Sequence, residues 1–256
     1  MEEKTERFVE EARSIREFAD NILVADVKDP TLLKVSTLEA ALLLRERLCV
    51  DAAPVVVVRD MNRQHFLSSV LAGISLGLAS MMIAWGDDHP TSAKLTNVRD
   101  FPNLAAAIRQ ASAVRKRVRA STLFLAPVDV EMLATPEGVT LAKGRLGAGA
   151  DYLLAQPPTT DAESAFERHL SLLKGAGLRD KVLLNVFPFW DEEDVRTTER
   201  NFGWQLPRNL HGTAERGGAA LFDAEREVAM RIREEGLPGI YLSTRGVSSI
   251  AERLLS

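Results

Sequence analysis

Polar side chains gather at seven points of this sequence, each just after a short apolar run. They are Asp26 with Lys28 and Asp29; Arg59, Asp60, Asn62 and Arg63; Gly86, Asp87, Asp88 and His89; Asp129; Gln156; Asp191; and Ser243, Thr244 and Arg245. The two guanidinium groups and the carboxylate within Arg59–Arg63 suit a ligand with anionic or amide groups, held by forked hydrogen bonds. The alternative is a solvated loop that caps the next helix, with Asp60 or Asn62 as N-cap. Asp87 and Asp88 follow the most apolar run, where a carboxylate acts on a ring that gains or loses negative charge. A metal site with His89 and a plain turn are the other readings, and adjacent residues rarely ligate one ion. Gln156, followed by two prolines, offers a neutral donor and acceptor in a rigid setting. A Gln buried at a strand end must be hydrogen-bonded, which points to a ligand contact. His65 and His169 fall on predicted helices and read as surface residues, His211 falls in a polar connection, and Cys49 reads as a small buried hydrophobe. Nothing in the chain has the pattern of a nucleophile elbow or a catalytic triad.

The elements that must position these groups alternate. Phe8, Ala12, Ile15 and Phe18 recur at helical spacing over 5–19, and a strand follows at Ile22–Ala25. Helix then runs from an N-cap at Ser36 to Leu48, strand over 55–58, helix over 64–76 and strand over 80–85. Further pairs are helix 102–117 with strand 122–125, helix 137–147 with strand 152–155, and a helix carrying Phe166, Leu170 and Leu173 with strand 182–186. After an irregular polar stretch come a helix over 217–235, a strand at Ile240–Leu242 and a final helix over 247–255. Short apolar strands alternating with helices imply parallel βαβ units. This many in one chain predicts a single (β/α)8 TIM-barrel-like domain over residues 1–256, with its chemistry at the C-terminal strand ends. The count is seven strands, preceded by a helix, so a closed eight-stranded barrel is one strand short, its first strand missing or replaced.

Composition narrows the class. With 36 acidic against 32 basic residues and a net charge of −4, dispersed along the chain, there is no electrostatic footprint for nucleic acid. Phe66 through Gly86 carries no formal charge, but its four serines and three glycines split it into helix and strand, so no membrane span is expected. One cysteine and the absence of a signal-like start predict the cytoplasm.

Against that frame the chain resembles the short bacterial and archaeal methylenetetrahydrofolate reductases, from about residue 20 onward. The carriers are Ala19–Asp26 leading to Asp29-Pro30, Arg59-Asp60-Met61-Asn62-Arg63, Met82–Asp88, Ala148-Gly149-Ala150-Asp151 with Gln156 after four further residues, and Phe187-Pro188. The resemblance implies an oxidoreductase of one-carbon metabolism, a TIM barrel that binds FAD and passes a hydride from NAD(P)H through the flavin to methylenetetrahydrofolate. Asp87 matches the aspartate beside flavin and folate and is the implied catalytic residue. Gln156, with Asp87 and Asp26, would bind substrate. Arg145 matches a basic residue that contacts the flavin, and with Arg59, Asp60, Asn62 and Gly86 it would hold the cofactor.

The family's first strand carries a glutamate that donates a proton to the folate nitrogen. Neither that strand nor that glutamate is present. Val55, Trp85 and Ala126 stand where members have histidine, arginine and tyrosine, and each removes a polar contact from the implied cofactor pocket. The alternative is an accessory relative that binds folate or a related pterin and pairs with another chain, or with its own copy as a homo-oligomer, since an open sheet edge invites completion. A pterin-using methyltransferase is a third reading.

Overall fold

The structure is a computed structural model that describes residues 2–25, 35–59, 61–86, 100–204, 206–244 and 249–255. Helices and strands alternate along it as far as the sixth strand, after which three helices precede the last strand. In order they are α1 (Glu2–Ile15), β1 (Ile22–Val24), α2 (Thr37–Leu48), β2 (Ala52–Val57), α3 (Arg63–Ser75), β3 (Ser80–Ala84), α4 (Leu104–Arg117), β4 (Leu123–Asp129), α5 (Pro136–Ala148), β5 (Tyr152–Gln156), α6 (Ala165–Ala176), β6 (Val182–Val186), α7 (Glu192–Phe202), α8 (Arg208–Glu215), α9 (Gly218–Glu234), β7 (Ile240–Leu242) and α10 (Ser249–Leu255). The result is an α/β fold with seven strands among the described residues, the number counted in the sequence, and its repeat is that of TIM-barrel-like proteins. Contacts divide it into two units: Met1–Pro127 with Lys143–Tyr152, and Val128–Ala142 with Leu153–Ser256.

In the first unit β1 pairs with β2, β2 with β3 and β3 with β4, all parallel, in registers that include Ile22↔Ala52, Val55↔Met82 and Ser80↔Leu123. Val9 and Ala12 of α1 meet Ala41, Leu44 and Leu48 of α2 in one apolar cluster with Ala52 and Leu78. The start of α2 is fixed by a capping box. Ser36 Oγ accepts the Glu39 N–H while the Glu39 carboxylate accepts the Ser36 N–H. Cys49 is exposed, at φ 52°, and ends α2 in the left-handed region. The expectation of a buried hydrophobe fails because the helix stops there and turns its last residue outward.

In the second unit β5 pairs with β6 and β6 with β7, again parallel. The stretch that reads as irregular and polar contains α7 and α8. Asp191 caps α7 by accepting the Asp194 N–H, three acidic residues follow in its first turn, and Gly203 closes it at φ 67°. Phe187, Phe189, Val195, Leu206, Leu210 and Leu221 bury together beneath these helices. Among the described residues no helix is long and apolar enough to cross a membrane.

Candidate functional site

Among the described residues, the polar groups at the strand ends of the first unit make structural hydrogen bonds. Val58 and Arg59 donate their N–H groups to the carbonyls of Ala84 and Trp85, both at 2.9 Å, so the β2–β3 ladder runs on past both strands. Gly86 sits at φ +90°, and a Cβ there would fall 2.4 Å from Val57 Cγ1, so this glycine answers a backbone requirement. The Asn62 side chain accepts the His65 N–H at 2.8 Å and is the N-cap of α3, the helix-capping alternative for this loop. Arg63 donates its backbone N–H to Asp100 Oδ2 at 2.7 Å. An open groove of about 590 Å³ runs from here along Leu67, Leu71 and Val114. Arg145 Nη1 donates to the Pro127 carbonyl, tying the last turn of α5 to β4.

Gly149 and Asp151 also serve the fold. A Cβ on Gly149 would lie 2.4 Å from Ser112 Oγ, and Asp151 Oδ2 accepts from Arg115 Nη1 at 2.5 Å and from the Phe124 N–H at 2.7 Å. Arg115 further donates to the Thr122 and Gly149 carbonyls and lies over the Phe124 ring. Asp26, Asp60 and Asp87, with Lys28, Asp29, Asp88, His89 and Arg245, lie outside the described residues.

The second unit differs. Leu154 of β5 pairs with Leu183 of β6, and Asn185 of β6 pairs with Tyr241 of β7. Continuing the first register by two residues sets Gln156 beside Asn185. In parallel strands paired residues share a face, so Gln156, Asn185 and Tyr241 form one polar row across three strand ends, above an apolar row that includes Leu154 and Leu183. Pro157 and Pro158 carry no N–H, so the next donor after β5 is Thr159, which gives its N–H to the Asn185 carbonyl at 2.8 Å. Asn185 is only 1% exposed, and its amide oxygen has no hydrogen-bond partner among the described residues. The same holds for the Thr160 hydroxyl in the adjoining loop. Gln156 and Tyr241 are half-buried, and burial pushes the Tyr241 phenol above its usual range, keeping its hydroxyl protonated as a donor.

A buried network supports the loop after β5. His169 Nε2 lies 3.1 Å from Glu131 Oε1, and His169 Nδ1 lies 2.9 Å from Thr159 Oγ1. A carboxylate only accepts, so Nε2 carries the proton and, in the neutral ring, Nδ1 accepts from the Thr159 hydroxyl. The hydrogen bond from His169 holds Glu131 below the usual carboxylate range against the opposing effect of burial, with Arg168 adding to it. Asp129 fixes the turn that carries Glu131 by accepting its N–H at 3.0 Å. Asp161 is pushed up by burial but pulled further down by the Ser164 N–H, Asn209 and the Ala165 N–H, so it too lies below its ordinary value. His169 is 2% exposed, which corrects its reading as a surface residue: helical position alone does not tell which face a side chain takes.

Sequence reasoning singled out Gln156 but neither Asn185 nor Tyr241, which sit inside their strands. A lone Asn within an apolar run was the available signal, since a buried amide needs partners.

No family model and no curated protein matches the chain. Among solved structures it is similar to an uncharacterized protein from Clostridium thermocellum that binds two copies of 5-methyl-5,6,7,8-tetrahydrofolic acid. The identity is 12%, the match covers 99% of this chain and 87% of that one, and the TM-score is 0.65. It is also similar to an oxaloacetate acetylhydrolase, at 17% identity, 95% and 85% coverage and a TM-score of 0.50. A third is 2,3-dimethylmalate lyase of the PEP mutase/isocitrate lyase superfamily, at 18% identity, 91% and 81% coverage and a TM-score of 0.49. Two of these three are named as enzymes, and at such identities the likeness speaks to the fold.

These findings correct the resemblance to methylenetetrahydrofolate reductases. The two neighbours reported at a TM-score of 0.50 or above are a protein that binds 5-methyl-5,6,7,8-tetrahydrofolic acid and an oxaloacetate acetylhydrolase, and the oxidoreductase reading, with FAD and NAD(P)H as its cofactors, falls with it. The physical reason lies in the motifs. Asn62 caps a helix, Gly86 and Gly149 make close turns, Asp151 braces Arg115, and Arg145 holds a strand-end carbonyl. Parallel βα units need such parts whatever they bind.

Proposed function

We propose that this protein binds a reduced folate of the 5-methyltetrahydrofolate class, with Gln156, Asn185 and Tyr241 meeting the pterin ring. The observation that carries the reading is the buried Asn185 amide oxygen without a partner, in a polar row at the strand ends of a (β/α) fold. Such an atom is costly to bury unless something donates to it, and ligands of this fold class collect at C-terminal strand ends. The bound 5-methyltetrahydrofolate of the Clostridium thermocellum neighbour supports the choice of ligand. Leu154 and Leu183 supply apolar surface beneath the row, as small-molecule sites do around a few placed polar groups. Titration calorimetry with 5-methyltetrahydrofolate tests the proposal. Saturable binding in about the micromolar range, near −8 kcal/mol, is expected. Heat no greater than that of dilution, up to millimolar ligand, would overturn it.

A further inference from the structure

Which edge of a ligand the row reads follows from its hydrogen-bonding pattern, and here the inference rests on the pterin reading above. We infer that Asn185 is the specificity-determining residue of the site, selecting ligands that present an N–H-rich 2-amino-4-oxopyrimidine edge and rejecting those with a carbonyl at position 2. The Asn185 amide oxygen is an acceptor with no donor among the described residues. The backbone that carries it is fixed from two sides: Asn185 pairs with Tyr241 on β7, and the Thr159 N–H holds the Asn185 main-chain carbonyl. Thr159 is in turn anchored by His169, itself bound to Glu131, so the strand position that presents the amide is held in place.

On either side stand Gln156 and Tyr241, whose amide N–H and phenol O–H can donate. Neighbouring strands lie about 4.8 Å apart, so the row sets donor, acceptor and donor across a span that fits a flat fused ring. The 2-amino group of a pterin donates and, set against Asn185, satisfies the orphaned oxygen, while the ring's 4-oxo group accepts from a flank. In the same pose a 2-oxo ring turns a carbonyl toward Asn185 instead. Two acceptors then face each other and the buried oxygen stays unpaired, an arrangement that sites built on hydrogen bonds discriminate against strongly.

The pair pterin and lumazine, which differ by amino against oxo at position 2 and by the proton on N1, probes this contact, and variants of Asn185 assign the difference to it. Wild-type protein should bind pterin at least about tenfold more tightly than lumazine. In Asn185→Leu, which keeps the volume and removes the acceptor, the preference should fall to about unity, and thermal melting shows whether the variant is folded. Asn185→Asp keeps an oxygen acceptor at the same place and should retain a preference for pterin, so a misfolded leucine variant does not end the test. Equal affinity of the wild type for pterin and lumazine overturns the inference, as does a folded Asn185→Leu that still discriminates. If wild type binds 5-methyltetrahydrofolate yet shows no pterin preference, the folate reading survives and the role of Asn185 falls. If it prefers pterin through Asn185 but ignores 5-methyltetrahydrofolate, the reverse holds. If it binds none of the three, both fall.

Discussion

Both units carry polar side chains at the ends of parallel strands, and the two sets are spent differently. In the first unit Asn62 caps α3, Arg145 holds the Pro127 carbonyl, and Asp151 is shared between Arg115 and the Phe124 N–H. In the second, the Asn185 amide oxygen and the Thr160 hydroxyl are buried with no hydrogen-bond partner among the described residues. A polar group whose hydrogen bonds are complete within the chain has its energetic explanation there. A buried one left incomplete calls for a partner from outside. Residue type does not separate the two cases, whereas the state of each donor and acceptor does.

Removing a first-unit group should therefore harm folding and spare binding, and the largest such effect belongs to Arg115. Its side chain and that of Asp151 are 16% and 29% exposed, and it also serves the Thr122 and Gly149 carbonyls. Arg115→Ala leaves a half-buried carboxylate and two carbonyls short of a donor, with an expected loss of about 3 kcal/mol. Urea unfolding reads that loss. Calorimetry with 5-methyltetrahydrofolate on the folded variant should match wild type, and a variant of unchanged stability with weakened binding would erase the contrast between the units.

Asn185→Leu is the converse. Replacing an unpaired buried amide by an apolar group of similar size should leave stability unchanged or raise it by about 1 kcal/mol, while ligand affinity drops about tenfold or more. Stability and binding then move in opposite directions, a split that no purely structural residue produces. Loss of stability by several kcal/mol with binding intact would place Asn185 in the same class as Asp151.

How far the sequence carries these distinctions depends on whether they are local. Phe166, Leu170 and Leu173 at helical spacing are all buried on α6, and Ser36 caps α2 as its position predicts. Periodicity and capping involve residues a few positions apart, so they are legible in one dimension. The helices α7 and α8 escaped because few of their positions are apolar, although Asp191 and Gly203 marked both ends of α7. Asn185 and Tyr241 escaped for a different reason. What groups them as a candidate site is register, Asn185 against Tyr241 and next to Gln156, and strand register is settled by packing between segments some 29 (185 − 156) and 56 (241 − 185) residues apart. The motif resemblance failed on the same ground, since it matched local hardware that any parallel βα repeat can use.

A smaller effect sharpens the comparison inside the Arg59–Arg63 loop. Asn62→Ala removes the acceptor for the His65 N–H and should cost about 1 kcal/mol, whereas Asn62→Asp or Asn62→Ser should restore most of it. Binding of 5-methyltetrahydrofolate should follow none of the three. A cap tolerates any short side chain with an oxygen, while a ligand contact does not, so affinity that tracks the substitution while stability stays flat would return this loop to the site.

The smallest effect tests the second unit's own scaffold. Glu131 is held below its ordinary pKa of 4.5 by the hydrogen bond from His169, with its side chain 35% exposed, so solvent screening limits what the interaction contributes. Glu131→Gln should destabilise by about 0.5 kcal/mol at neutral pH. A depressed carboxylate pKa contributes stability that is present above the unfolded value and disappears as pH falls through the folded one. The gap between wild type and Glu131→Gln should accordingly be constant from pH 7 to about 5.5 and close as pH drops below 4.5. Because His169 reaches the Asn185 carbonyl through Thr159, the variant should also loosen the row. Its preference for pterin over lumazine should shrink while affinity for both falls little. A gap in stability that widens on acidification would mean that Glu131 is protonated in the folded protein and that the network runs the other way.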